Sequence, residues 1–138
     1  MKNYKFIMKK YLGLLLIACS FLFSSFATID TLEIDDVVVA LKSGNASQLS
    51  KHFDTRVDIT LPDKTDNYSR TQAEMVIREF FNSNGVRNFD LKYKSDKTGS
   101  NYCIGTLQTK SGNYRTTLFM KQKGDKEYLQ DLNFQKIE

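Results

Sequence analysis

A chain of 138 residues with a formal charge of +4 is long enough for one domain and not for two. Its basic excess sits at one end: Lys2, Lys5, Lys9 and Lys10 are four of the 20 basic residues, and no acidic residue precedes Asp30. From Thr28 onward 16 basic residues face 16 acidic ones, so the body lacks the electrostatic footprint expected of a nucleic-acid binder.

Residues 1–27 read as an export signal, with a basic start ending at Lys9-Lys10, an apolar core from Tyr11 to Phe23, and small residues at Ser25 and Ala27. The apolar run is about 13 residues, short of the ~20 a membrane span needs. Cleavage between Ala27 and Thr28 would send a mature 28–138 domain to the periplasm or the exterior. Two alternatives stay open. Residues 11–26 could persist as an anchor, and Leu16-Ile17-Ala18-Cys19 resembles a lipobox that would tie the chain to the envelope through a lipid on Cys19. Phe21-Leu22-Phe23 follows that cysteine where a polar tether is usual, which favours cleavage at Ala27. Cys103 is then the only thiol of the mature chain, and an intramolecular disulfide is excluded.

Asp30 as N-cap and Glu33 three residues on open a first helix, whose apolar stripe is Ile34, Val37, Val38 and Leu41. Gly44 stops it, and Asn45 starts a second, short helix with Ala46, Leu49 and Phe53 facing inward. Arg56–Leu61 alternates as a half-buried strand closed by Pro62, and 63–68 reads as a polar turn. Ala73, Val76, Ile77, Phe80 and Phe81 then form one stripe of a long helix. Ser69 with Gln72, or Thr71 with Glu74, supplies a capping box, and Gly85 ends the helix.

After Gly85 the apolar period becomes two. Phe89, Leu91 and Tyr93 mark one strand, Tyr102–Thr109 the next, Tyr114, Thr116, Leu118 and Met120 a third, and Tyr128, Leu132 and Phe134 the last. Turns fall at 96–100, 110–113 and 124–125. The order predicts an α+β roll: N-terminal helices and one long helix packed on a curved antiparallel sheet.

The chemistry is sparse. One histidine and one mature cysteine cannot build a zinc or iron site, and no phosphate-binding glycine pattern occurs, so neither metal nor cofactor is expected. His52, at the end of the short helix, suits a surface or capping role. Asp54 and Asp58 flank the first strand as solvated groups. Asp131 sits in the last strand with parity opposite to Leu132 and Phe134. A cleft between long helix and sheet would be lined by Phe80, Tyr93, Tyr102, Tyr114 and Leu118, with aromatic walls and hydroxyls to orient an apolar ligand. Lys92, Lys94, Arg115, Lys121 and Lys123 make the outer side of the sheet basic.

Leu41-Lys-Ser-Gly-Asn-Ala-Ser-Gln-Leu-Ser50, Tyr68-Ser-Arg-Thr-Gln-Ala-Glu74, Phe80-Phe81 and Ile104-Gly-Thr-Leu107 together resemble the secreted domain of unknown function family 4783 of Bacteroidetes. That family belongs to the nuclear-transport-factor-2-like superfamily, and the resemblance covers about residues 30–137. It implies a cone-shaped, cystatin-like α+β roll with a cavity between helices and sheet. It implies no activity, since the family offers no catalytic motif to carry over.

The expectation is therefore an exported, non-catalytic binding or interaction domain, whose partner is a small apolar ligand or an envelope protein, and which pairs as a homodimer through the sheet face. A cleft enzyme of isomerase or dehydratase type, with tyrosine and His52 as acid and base, is the first alternative. A lipid-anchored envelope accessory factor is the second.

Overall fold

The computed structural model describes residues 7–9, 32–95 and 99–138. Cys19, the Ala27–Thr28 junction, the Asp30 cap and positions 96–98 lie outside the described residues. The chain divides into two compact units, Met1–Asp30 and Thr31–Glu138, and every element named below belongs to the second. No described helix is long and apolar enough to cross a membrane.

Two helices, α1 (Leu32–Ser43) and α2 (Ala46–Ser50), precede strand β1 (Phe53–Leu61). The joint between them is tight: Gly44 takes φ 62°, and a Cβ there would lie 2.8 Å from Cβ of Val86, so only glycine suits the position. The Asn45 side chain caps α2 by accepting from the Gln48 N–H at 3.0 Å. Strand β2 (Lys64–Ser69) follows where the sequence suggested a turn. Its residues are polar and mostly exposed, so no apolar alternation announces it; pairing with β1 from Arg56↔Ser69 to Leu61↔Lys64 is what makes it a strand.

Helix α3 (Arg70–Asn84) starts on the capping box of Ser69 and Gln72 and ends at Gly85. Ala73, Ile77, Phe80 and Phe81 are buried and Val76 partly so. Four strands then meander: β3 (Val86–Lys94), β4 (Ser100–Thr109), β5 (Gly112–Lys123) and β6 (Lys126–Lys136). The sheet order is β2-β1-β6-β5-β4-β3. It is an open, mixed sheet and not a wholly antiparallel one, because β1 runs parallel to β6.

The three helices cover one face, here called inner. Rings of Phe80 and Phe81 lie 4.8 and 6.2 Å from that of Phe134. Phe53, Val57, Ile59, Leu61, Phe89, Cys103, Leu107, Tyr114, Leu118, Met120, Leu129, Leu132 and Phe134 supply the sheet's share of the core. The ladders carry four register shifts, and two of them re-aim residues that the simple pattern placed inward. In β3, Leu91 pairs with Gly105 and Tyr93 with Ile104, leaving Lys92 extra. In β6, Asp131 pairs with Phe119 and Leu129 with Met120, leaving Gln130 extra. A single inserted residue sends everything beyond it to the opposite face. Leu129 is therefore in the core where the simple pattern assigned Tyr128.

Candidate functional site

The five residues expected to line one cleft do not share one surface. Phe80, Tyr114 and Leu118 face inward and are buried; Phe80 meets Tyr114 edge-on at 5.2 Å. The Tyr114 hydroxyl donates to Oδ1 of Asn84 at 2.8 Å, so its polar group is engaged within the fold. Tyr93 and Tyr102 lie on the outer face, because the β3 bulge turns Tyr93 level with Ile104. Their rings are 5.4 Å apart. Open depressions of the described surface are lined by 60–65 with 134–136, by 43–47 with Arg78 and Asn82, and by one side of α3. None of these three includes any of the five residues.

Titratable groups away from the outer row are committed to structure. Asp54 is buried, not solvated, and accepts from Lys123 Nζ at 2.6 Å, Gln130 Nε2 at 2.9 Å and the Thr55 N–H at 2.7 Å. Burial pushes its carboxyl up, yet these hydrogen bonds prevail and hold it at about 2. Burial lowers the pKa of His52, against the opposing pull of Asp36 and Glu33. Burial likewise pushes the Cys103 thiol up to about 11, far from a reactive thiolate. Glu33 accepts from the Glu127 N–H at 2.5 Å and Lys94 pairs with Asp35 at 3.0 Å, so both contacts fasten α1 to the sheet. Among the described residues no group of three or more His, Cys, Asp or Glu could hold a metal ion.

The outer face carries a different set. Register partners across five strands define one continuous row: Asn67 beside Asp58, Asp58 beside Asp131, Asp131 beside Phe119, Phe119 beside Tyr102. Tyr93, 51% exposed, completes it next to Tyr102. Ile104 borders the aromatic end. Burial and the neighbouring Asp58 both raise the pKa of Asp131. The basic outer side foreseen from five cations is reduced to two. Lys92 pairs with Asp90, Lys94 turns to Asp35 and Lys123 reaches Asp54, whereas Arg115 and Lys121 make no ion pair with a described residue.

The model of the domain of unknown function DUF4783 matches residues 34–135. The chain belongs to the DUF4783 family. Two crystal structures of DUF4783 proteins resemble it throughout the folded unit. The one from Bacteroides ovatus is 28% identical with a TM-score of 0.72, covering 75% of this chain and 94% of its own. That from Bacteroides uniformis is 26% identical with a TM-score of 0.73, covering 75% and 96%. An NTF2-like protein of unknown function from Cytophaga hutchinsonii, 7% identical, has a TM-score of 0.55 over 75% of this chain and 86% of its own. The DUF4783 fold is thus NTF2-like. No functionally curated protein matches the chain.

In this DUF4783 domain the Ile104-Gly-Thr-Leu107 run has a packing reason. A Cβ on Gly105 would come within 2.4 Å of Cζ of Phe89 and 2.6 Å of the Asp90 carbonyl, so the Phe89 ring lies where any larger residue would project. The Ser69–Gln72 box within the Tyr68–Glu74 run fixes the start of α3, and with it the seat of Phe80 and Phe81 over the sheet.

Proposed function

We propose that this DUF4783 chain is a small exported, non-catalytic interaction domain that works through the outer face of its sheet, where a second copy docks. The observation that carries this reading is the division of aromatic residues. Those of the inner face are consumed by the core, while Tyr93, Tyr102 and Phe119 form a row with Ile104 on a face that no described helix covers. Aromatic side chains supply large contact area at low entropic cost, and they anchor interfaces more than other types do. Export rests on the composition of residues 1–27.

A native mass spectrum of the protein purified from its own envelope tests each part. The reading predicts a mature chain starting at Thr28 and a dimer mass that disappears in Phe119→Ser. A strictly monomeric chain at all concentrations contradicts the docking face. A chain starting at a lipidated Cys19 replaces free export by anchoring, and a reproducible extra small mass assigns the domain to ligand binding instead.

A further inference from the structure

The parallel ladder between β1 and β6 stops early. Its last pair is Thr60↔Asn133, yet β6 stays paired with β5 as far as Tyr114↔Lys136. The cause lies in the main chain of β1. The turn Pro62-Asp63 closes the β1–β2 hairpin at Leu61↔Lys64, and residues flanking a two-residue turn bond to each other. Leu61 therefore turns its N–H and C=O to β2, and by alternation Thr60 and Pro62 face β6. Pro62 has no N–H to give, so the ladder ends there. On the other side of the gap, the Ile137 N–H donates to the Asn113 carbonyl at 2.9 Å. The main chain of Ile137 thus points to β5, and the Phe134 carbonyl and the main-chain groups of Lys136 point the opposite way. They face a depression of about 510 Å³ walled by residues 60–65 and 134–136. Lys64 and Lys136 flank it, both exposed and neither in an ion pair with a described residue. Asp63 is the one carboxylate of the lining.

We propose that this gap receives an extended, acidic segment of a partner protein, which adds as a short strand beside the end of β6 and sets a carboxylate between Lys64 and Lys136. Strand addition draws affinity from free main-chain groups and specificity from alternate side chains. The Phe134 carbonyl calls for an N–H, which a peptide has and a simple anion lacks. Lys64 lies opposite Leu61, and Lys136 follows Phe134 by two residues, so both lysines share the parity of those buried side chains. A carboxylate on the inward-facing residue of the added strand meets both ammonium groups. Two lysines against the single Asp63 favour an acidic segment over a basic one. The outer edge of the sheet at β2 is guarded by contrast. There Asp66 Oδ1 takes the Asn67 N–H at 2.8 Å, and Gln72 Oε1 takes the Ser69 N–H at 3.4 Å. Covered edges of that kind resist strand addition, whereas the gap beside β6 is open. It shares no residue with the aromatic and acidic row of the outer face.

Amide NMR titrations of the full chain with the capped peptide Thr-Val-Glu-Val-Thr test this. Two matched probes accompany it, one with lysine in place of the glutamate and one N-methylated at both valines. The glutamate peptide is expected to move the amide signals of Lys64 and Lys136 along one saturation curve, with that of Lys136 shifting downfield as its N–H gains an acceptor. N-methylation removes the donors offered to the Phe134 carbonyl and is expected to weaken binding ~10-fold. The lysine peptide is expected to bind ~10-fold more weakly than the glutamate one. In Lys64→Glu/Lys136→Glu, with a thermal melt confirming that it is folded, the preference is expected to reverse. An N-methylated peptide that binds as well as its parent overturns strand addition. A lysine peptide that binds equally overturns the acidic partner. Signals that stay still at millimolar peptide overturn the site. Signals of the same amides that move with protein concentration alone assign the gap to a second copy, and overturn the separate partner.

Discussion

On the inner face of the sheet Leu118, Met120, Leu132 and Phe134 have no exposed surface, whereas Phe119, one residue from Leu118, keeps part of its ring outside the core. The two faces draw on similar residues, and alternation along β5 divides them. Tyr114, facing inward, is closed over by Phe80 and bonded to Asn84. Tyr102, facing outward, has Phe119 and Tyr93 beside it and no described helix above. The lesson is that strand parity and register, not aromatic content, decide which rings of this sheet enter the core. Once α3 has seated Phe80 and Phe81 on Phe134, the inner aromatics serve stability, and those outside the core are on the other side.

That contrast can be broken from either face. The largest effect on stability is expected from Phe134→Ala, which removes the ring shared by Phe80 and Phe81 and should cost about 3–5 kcal/mol; denaturant unfolding would register it, and dimerisation of the remaining folded protein should be unchanged. Gly105→Ala should cost about 1–3 kcal/mol by overpacking, since the added carbon meets Phe89 and the Asp90 carbonyl. It should be partly rescued by Phe89→Leu, and an absence of rescue would show that the conflict lies with the backbone alone.

The Asp54 pin gives a pH signature. Its folded pKa of about 2 lies below the ordinary aspartate value of 3.8, so its stabilisation is fully present above about pH 4 and is lost as pH falls through about 2. Asp54→Asn should remove about 1–2 kcal/mol at neutral pH and flatten the acid limb of the stability curve. Equal acid sensitivity in both proteins would move that limb to other carboxylates. Ser69→Ala, which deletes the α3 cap, should cost about 1 kcal/mol, visible as a lower melting temperature. Phe119→Ser should cost least, within about 1 kcal/mol, yet it is the change expected to abolish pairing. The substitution with the least effect on stability is thus the one expected to matter most for association.

Local pattern was enough for most of the fold. The stripes of α1 and α3, the Asn45 and Ser69 caps, the alternation of β1 and β5 and the extent of β4 all follow from short-range spacing. Strand β2 was not legible, because Lys64 to Asn67 are held by pairing to β1 and carry no buried side chain. The bulges were equally silent: nothing at Lys92 or Gln130 marks an extra residue, so Tyr93 and Tyr128 read as inward-facing until the register is known. The outer row was half visible. Parity alone put Phe119 and Asp131 opposite the core, but the parallel pairing of β1 with β6 that brings Asp58 beside Asp131 joins segments more than 70 residues apart. Long-range pairing of that kind has no local signature.

The central claim is that the outer face becomes buried when two copies meet, and a reporter placed in the row reads this directly. The chain has no tryptophan, so Phe119→Trp introduces a single, selectively excited tryptophan at the centre of the row. With protein concentration raised from nanomolar to hundred-micromolar, its emission should shift to shorter wavelength and its quenching by iodide should fall, following one dimerisation curve. Emission and quenching that stay the same across that range, in a protein that melts as wild type does, would contradict the claim.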